Sequence, residues 1–128
     1  MSRQAVSTDS APAPVAHYSQ AARIGSLLAV AGQVGIDPRT GSVVSDDAAV
    51  QTEQALHNVA AVLEAAGGSL DDVVRVDAYL TDPADLAAYN DVYARWFDAS
   101  PPARTTVFVG LVPGFKVEIT ALAVLDSR

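Results

Sequence analysis

The segment Val117-Glu118-Ile119-Thr120-Ala121-Leu122-Ala123-Val124-Leu125 constrains the fold more than any other stretch, because it reads as a strand that is apolar on both sides. Side chains alternate across a strand, so Val117, Ile119, Ala121 and Ala123 share one face, while Leu122 and Val124 lie on the other. A strand buried on both sides belongs to a sheet that is covered on both sides. The rest of the chain offers two helices, too few to cover both faces. The second layer must come from elsewhere, and self-association is the economical source. Composition agrees: 128 residues fit one domain, and 50% hydrophobic with 18% charged residues leans apolar for a globular chain.

The first helix is expected from about Asp47 to Ala66, where Leu56, Val59, Ala60 and Leu63 recur at helical spacing and Gly67-Gly68 stop the run. Gln51, Gln54 and Asn58 share another of its faces, with His57 nearby, and a solvated or intersubunit role suits all four better than catalysis. Val73 to Leu80 alternates as a strand. Asp82 and Pro83 open a second helix whose inner face carries Leu86, Tyr89, Tyr93 and Phe97, an aromatic stripe expected in the core. Asn90 in mid-helix is expected to bond to nearby backbone. Earlier in the chain, Leu27 to Ala31 reads as a buried strand broken by Gly32-Gln33-Val34-Gly35. Asp37-Pro38-Arg39-Thr40-Gly41 then makes the turn of a hairpin. Residues 1–16, rich in Ser, Ala, Thr and Pro, are expected to form a flexible N-terminal tail on a single domain spanning 17–128.

Charge and composition narrow the chemistry. The formal charge of -7, with 15 acids against 8 basic residues, opposes binding to nucleic acid or to an acidic membrane. Cysteine is absent, and His17 and His57 are too few for most metal cages, so no metal site is expected. The longest apolar run, Leu27 to Ala31, is far short of the roughly 20 residues that a spanning helix needs, and the N-terminus carries no leader pattern. A cytoplasmic protein is expected.

Two residues stand out as candidates for chemistry. Ser100-Pro101-Pro102-Ala103 is a stiff loop that feeds Arg104 into a β-branched strand, with Thr106 and Phe108 on the same face. A guanidinium on a rigid strand matches a carboxylate or phosphate fork to fork, although a surface arginine in a weak ion pair is the plainer alternative. Glu118 is the one carboxylate in the last strand. Desolvation there would raise its pKa, leaving it either paired structurally or poised as a general base. His17-Tyr18-Ser19-Gln20 either lines a pocket or forms a short edge strand.

Taken together, Tyr18-Ser19-Gln20-Ala21, Ala31-Gly32-Gln33, Asp37-Pro38-x-Thr40-Gly41, Gln54, Asn58, Ala66-Gly67, Asn90, Pro102-Ala103-Arg104 and Val117-Glu118-Ile119 resemble the RidA/YjgF family of reactive intermediate deaminases across nearly the whole chain beyond the tail. The resemblance implies a chorismate-mutase-like α+β fold, a mixed β-sheet with two helices packed on one face, assembled as a homotrimer with sites at the subunit interfaces. It implies that the strands of Arg104 and Glu118 need not be neighbours. It also implies a cofactor-independent hydrolysis of 2-imino acids to 2-keto acids and ammonia. In that reading Arg104 holds the substrate carboxylate, Glu118 positions the water, and Tyr18, Ala31, Gly32 and Thr106 line the pocket. Ala31 replaces a common serine and Thr106 a common cysteine, which puts substrate range in question. The alternatives are a noncatalytic trimer that binds small carboxylates, a deaminase for a larger imine, and an endoribonuclease, against which the acidic charge weighs.

Overall fold

The computed structural model describes residues 2–126. Its strands are β1 Gln4–Val6, β2 Ala21–Ile24, β3 Leu27–Val34, β4 Ile36–Asp37, β5 Ser42–Val43, β6 Val73–Leu80, β7 Ala103–Phe108 and β8 Val117–Val124, and its helices are α1 Ala48–Ala65 and α2 Leu86–Trp96. The main sheet runs β1-β2-β3-β8-β6-β7, and β4 and β5 form the hairpin expected around Gly41, whose φ of 75° a glycine adopts freely. All neighbours in the main sheet are antiparallel except β6 and β7, which are parallel and joined through α2. Parallel strands need such a crossover. The fold is therefore the expected mixed-sheet α+β architecture.

Asp47 caps α1 by accepting a hydrogen bond from the Ala49 N–H. Leu56, Val59 and Leu63 pack beneath it against Leu28, Val76, Ala78, Ile119 and Ala123 of the sheet, all of them buried. Deleting one such side chain, as in Leu63→Ala, removes about 2–5 kcal/mol of stability.

The sheet's other face is left open by this chain. The strand registers place Ile24, Leu27, Leu122, Val124 and Val107 there, and Leu27 and Val124 are 48% and 47% exposed. Apolar side chains exposed side by side on a sheet mark a surface that expects a partner.

Three expectations change. Residues 4–6 do not belong to a tail: they pair with β2 as an edge strand, and Ala11 is buried. The glycines after Ala31 do not end β3 but sit at a register shift between Val30 and Gln33, beyond which the strand resumes its pairing with β8. Gln51 and Asn58 are not solvated. Gln51 donates to the carbonyls of Ser45 and Gly114 and accepts from the Lys116 N–H, while Asn58 donates to the carbonyls of Val34 and Ile36. Both amides satisfy loop backbone that would otherwise be buried without a partner.

Candidate active site

Glu118 lies on the open face, in register with Val34 of β3 and Tyr79 of β6. The irregularity in β3 brings Gly32 so close that a methyl group added to it would overlap the Glu118 carboxylate. A cleft of about 400 Å³ opens here, with Tyr18, Ala31, Gly32, Val34, Phe115 and Glu118 among its walls. Partial burial in these mostly apolar surroundings pushes the Glu118 carboxyl above its ordinary range, since desolvation disfavours the charged form. Among the described residues no cation lies within ion-pair distance of Glu118 to reverse that. Tyr18 is half exposed at the mouth, where its hydroxyl lies 3.5 Å from the Val15 N–H.

The arginine is built differently. Val76 pairs with Arg104, Ala78 with Thr106 and Leu80 with Phe108, so the arginine face of β7 is the helix face of the sheet. There the Arg104 guanidinium lies 4.7 Å from the Tyr93 ring centroid and 5.4 Å from that of Tyr89, and Nη2 donates to Asn90 Oδ1 at 2.9 Å. The residue remains exposed at the edge of the sheet. Thr106 Oγ1 is buried beside it without a hydrogen-bond partner.

One protomer therefore gathers Tyr18, Ala31, Gly32 and Glu118 but keeps Arg104 and Thr106 apart from them. β6 runs between β7 and β8, which separates the two strands by roughly 10 Å at the usual strand spacing, and the two side chains leave opposite faces. A three- or four-carbon acid cannot touch both within one chain.

Sequence reasoning named two supporting residues without finding what they hold. Asn90 bonds to the Arg104 side chain and not to backbone; its position inside a helix, where asparagine is a poor former, was the available signal. Gln20 is buried and ties residues 8–12 to the body: its Oε1 accepts from the Thr8 N–H, and its Nε2 donates to the carbonyls of Thr8, Ala11 and Pro12. Pro12 and the neighbouring Ala13 and Val15 form one wall of the Glu118 cleft.

A mixed sheet with two helices on one face, an open apolar face and a carboxylate cleft beside a glycine defines a class already known from many relatives. The chain belongs to the RidA/YjgF family: the family model described as Endoribonuclease L-PSP matches residues 8–125. A RutC family protein of Pyrococcus horikoshii is 47% identical over 94% of this chain and 97% of that protein. The 2-iminobutanoate/2-iminopropanoate deaminase of Mus musculus is 38% identical over 95% of this chain and 91% of its own length. Among solved structures, E. coli TdcF with bound serine superposes with a TM-score of 0.91 at 35% identity, covering 96% of this chain and 99% of that one.

Proposed function

We propose that the protein hydrolyses reactive 2-imino acids, such as 2-iminopropionate or 2-iminobutyrate, to 2-keto acids and ammonia, at sites completed between copies of the chain in a homotrimer. The observation that carries this is the complementary division of the protomer: an exposed, unneutralised arginine at one sheet edge and a desolvated carboxylate in a cleft on the open face. Neither half suffices alone, and the open apolar face supplies the surface on which copies would meet.

In this reading Arg104 of one protomer holds the substrate carboxylate and fixes the imine carbon in the cleft of its neighbour. Glu118, its pKa raised above the ordinary carboxylate range by partial burial, accepts a proton from a water whose oxygen adds to the C=NH2+ carbon. The tetrahedral adduct takes that proton from Glu118 onto nitrogen, and the C–N bond breaks with its electron pair leaving on neutral ammonia. The adduct's hydroxyl gives its proton to the freed Glu118 carboxylate as the keto carbonyl forms, ammonia then carrying the proton away as ammonium. The iminium carbon is already electrophilic, so orientation and one proton relay are enough for the step. Tyr18 covers the mouth, and Ala31, Gly32 and Thr106 shape the pocket. The names of the mouse relative and of the serine-bound TdcF structure support a small carboxylate as ligand. The excess of acids over basic residues disfavours a nucleic-acid partner.

The test is a coupled assay in which an amino-acid oxidase generates the imine, with ammonia release followed with and without the protein. Release should accelerate and should be insensitive to chelators. Arg104→Ala should lower kcat/KM at least about tenfold, because a charge-assisted clamp is lost. Binding of 2-oxobutanoate with no acceleration by the parent protein would replace the hydrolase with a carboxylate-binding trimer.

A further inference from the structure

We propose that Asn90, Tyr89 and Tyr93 form a charge-neutral cradle that orients Arg104 while leaving its positive charge free for the substrate carboxylate. The inference rests on the function proposed above and names the residues that prepare its anion clamp.

A solvent-exposed arginine on an edge strand samples many rotamers, and each order imposed before binding reduces what binding must supply. Two contacts impose that order here. The guanidinium lies over the Tyr93 and Tyr89 rings, and Asn90 Oδ1 takes one N–H of Nη2. Its other N–H groups have no acceptor within the protein among the described residues, so one edge of the fork is held and the rest is available.

The neutrality of the holders is the point. The chain has 15 acids against 8 bases, and α2 itself carries Asp91 next to Asn90, yet no carboxylate lies within ion-pair distance of Arg104 among the described residues. An aspartate at position 90 could make the same hydrogen bond with nearly the same shape. It would also be a permanent intramolecular competitor for the substrate's carboxylate. Burial pushes both tyrosine hydroxyls up in pKa, most strongly at Tyr89, so neither ring competes as a phenolate. Asparagine is a poor residue for a helix interior, and its side chain bonds Arg104 where local backbone would usually take it.

The discriminating variant is Asn90→Asp, studied by titrating the protein with 2-oxobutanoate and by measuring Tm. Binding should weaken about tenfold or more, with KM rising more than kcat falls, because the competing charge acts on the carboxylate clamp and not on the water. The Tm should hold or rise, since an ion pair replaces a neutral hydrogen bond. A merely structural asparagine predicts the opposite pattern, with stability and binding falling together. Asn90→Ala, which removes the hydrogen bond without adding charge, should weaken binding by a few-fold, and so should Tyr93→Leu, which removes the ring beneath the guanidinium. Asn90→Asp binding the keto acid as tightly as the parent overturns the cradle, as does a parent that binds no keto acid at all. A parent that binds it but releases no ammonia from imines leaves the cradle standing and overturns the hydrolase.

Discussion

Glu118 is a carboxylate held partly out of water with no cation beside it, and that arrangement has a cost with a definite sign. Its pKa in the folded chain lies above the unfolded value, so between the two the folded state binds more protons. Stability due to this group is then greatest below the unfolded pKa and declines as pH rises through the folded pKa. Glu118→Gln should match the parent's stability in acid and exceed it at neutral pH, while imine hydrolysis falls by about 10²-fold if proton transfer limits the rate. Activity of the parent should show an acid limb shifted above the usual glutamate range. Urea denaturation at acid and neutral pH, with the assay run in parallel, checks both. A variant less stable than the parent at neutral pH would mean that the carboxylate is paired in solution. The neighbouring Gly32 shows what this position demands: its missing Cβ is the space that the carboxylate occupies.

At the scale of elements, the N-terminal segment is the least expected part of the molecule. β1 is three residues long, and Gln20 alone satisfies four backbone groups of residues 8–12. Removing that amide in Gln20→Ala leaves those groups without partners at a cost of about 1–3 kcal/mol. Hydrogen exchange should accelerate over residues 4–15, with α1 and β8 still protected, and the keto acid should bind more weakly because Pro12, Ala13 and Val15 no longer wall the cleft. Uniform loss of protection across the chain would show that the segment is not a separate strap. This strand was not legible in the sequence because its three residues pair with β2, fifteen to nineteen residues later, and show no alternation of their own, while Gln20 anchors the segment that follows it. The apolar alternation of β6 and β8 was legible, being local, as were the glycine stop of α1 and the aromatic stripe of α2, whereas Asp82, expected to cap α2, caps the 3-10 turn Pro83–Asp85 that leads into it. The insertion of β6 between β7 and β8 is a non-local pairing that no periodicity encodes, and only the family resemblance warned that Arg104 and Glu118 sit on separated strands. Gln51 and Asn58 looked polar and therefore solvated; they are buried because the loops they hold bring backbone polar groups inside.

At the scale of the whole molecule, the sheet has a helix-covered face that is finished and an open face that is not, and the two candidate catalytic residues leave from opposite faces. The proposed homotrimer, near three times 13.2 kDa, would resolve both facts at once, since it would cover the open face and let the Arg104 edge of one copy meet the Glu118 cleft of the next. Light scattering measures the mass, but mass alone does not say which chain supplies each residue. Mixing does. Arg104→Ala keeps Glu118, Glu118→Gln keeps Arg104, and each should be nearly inactive alone. If the two are co-refolded in equal amounts, a given interface receives its glutamate from an Arg104→Ala chain half of the time. Independently, it receives its arginine from a Glu118→Gln chain half of the time, so about one quarter of parental activity should return in a closed, randomly mixed ring. A site contained within one protomer predicts no recovery at all, because every chain in the mixture lacks one of the two groups. The same mixture refolded from Arg104→Ala alone controls for partial reactivation on refolding. Recovery near one quarter would fix the division of labour between neighbours, and none would return both residues to a single chain and require β7 and β8 to come together in a way that the intervening β6 forbids.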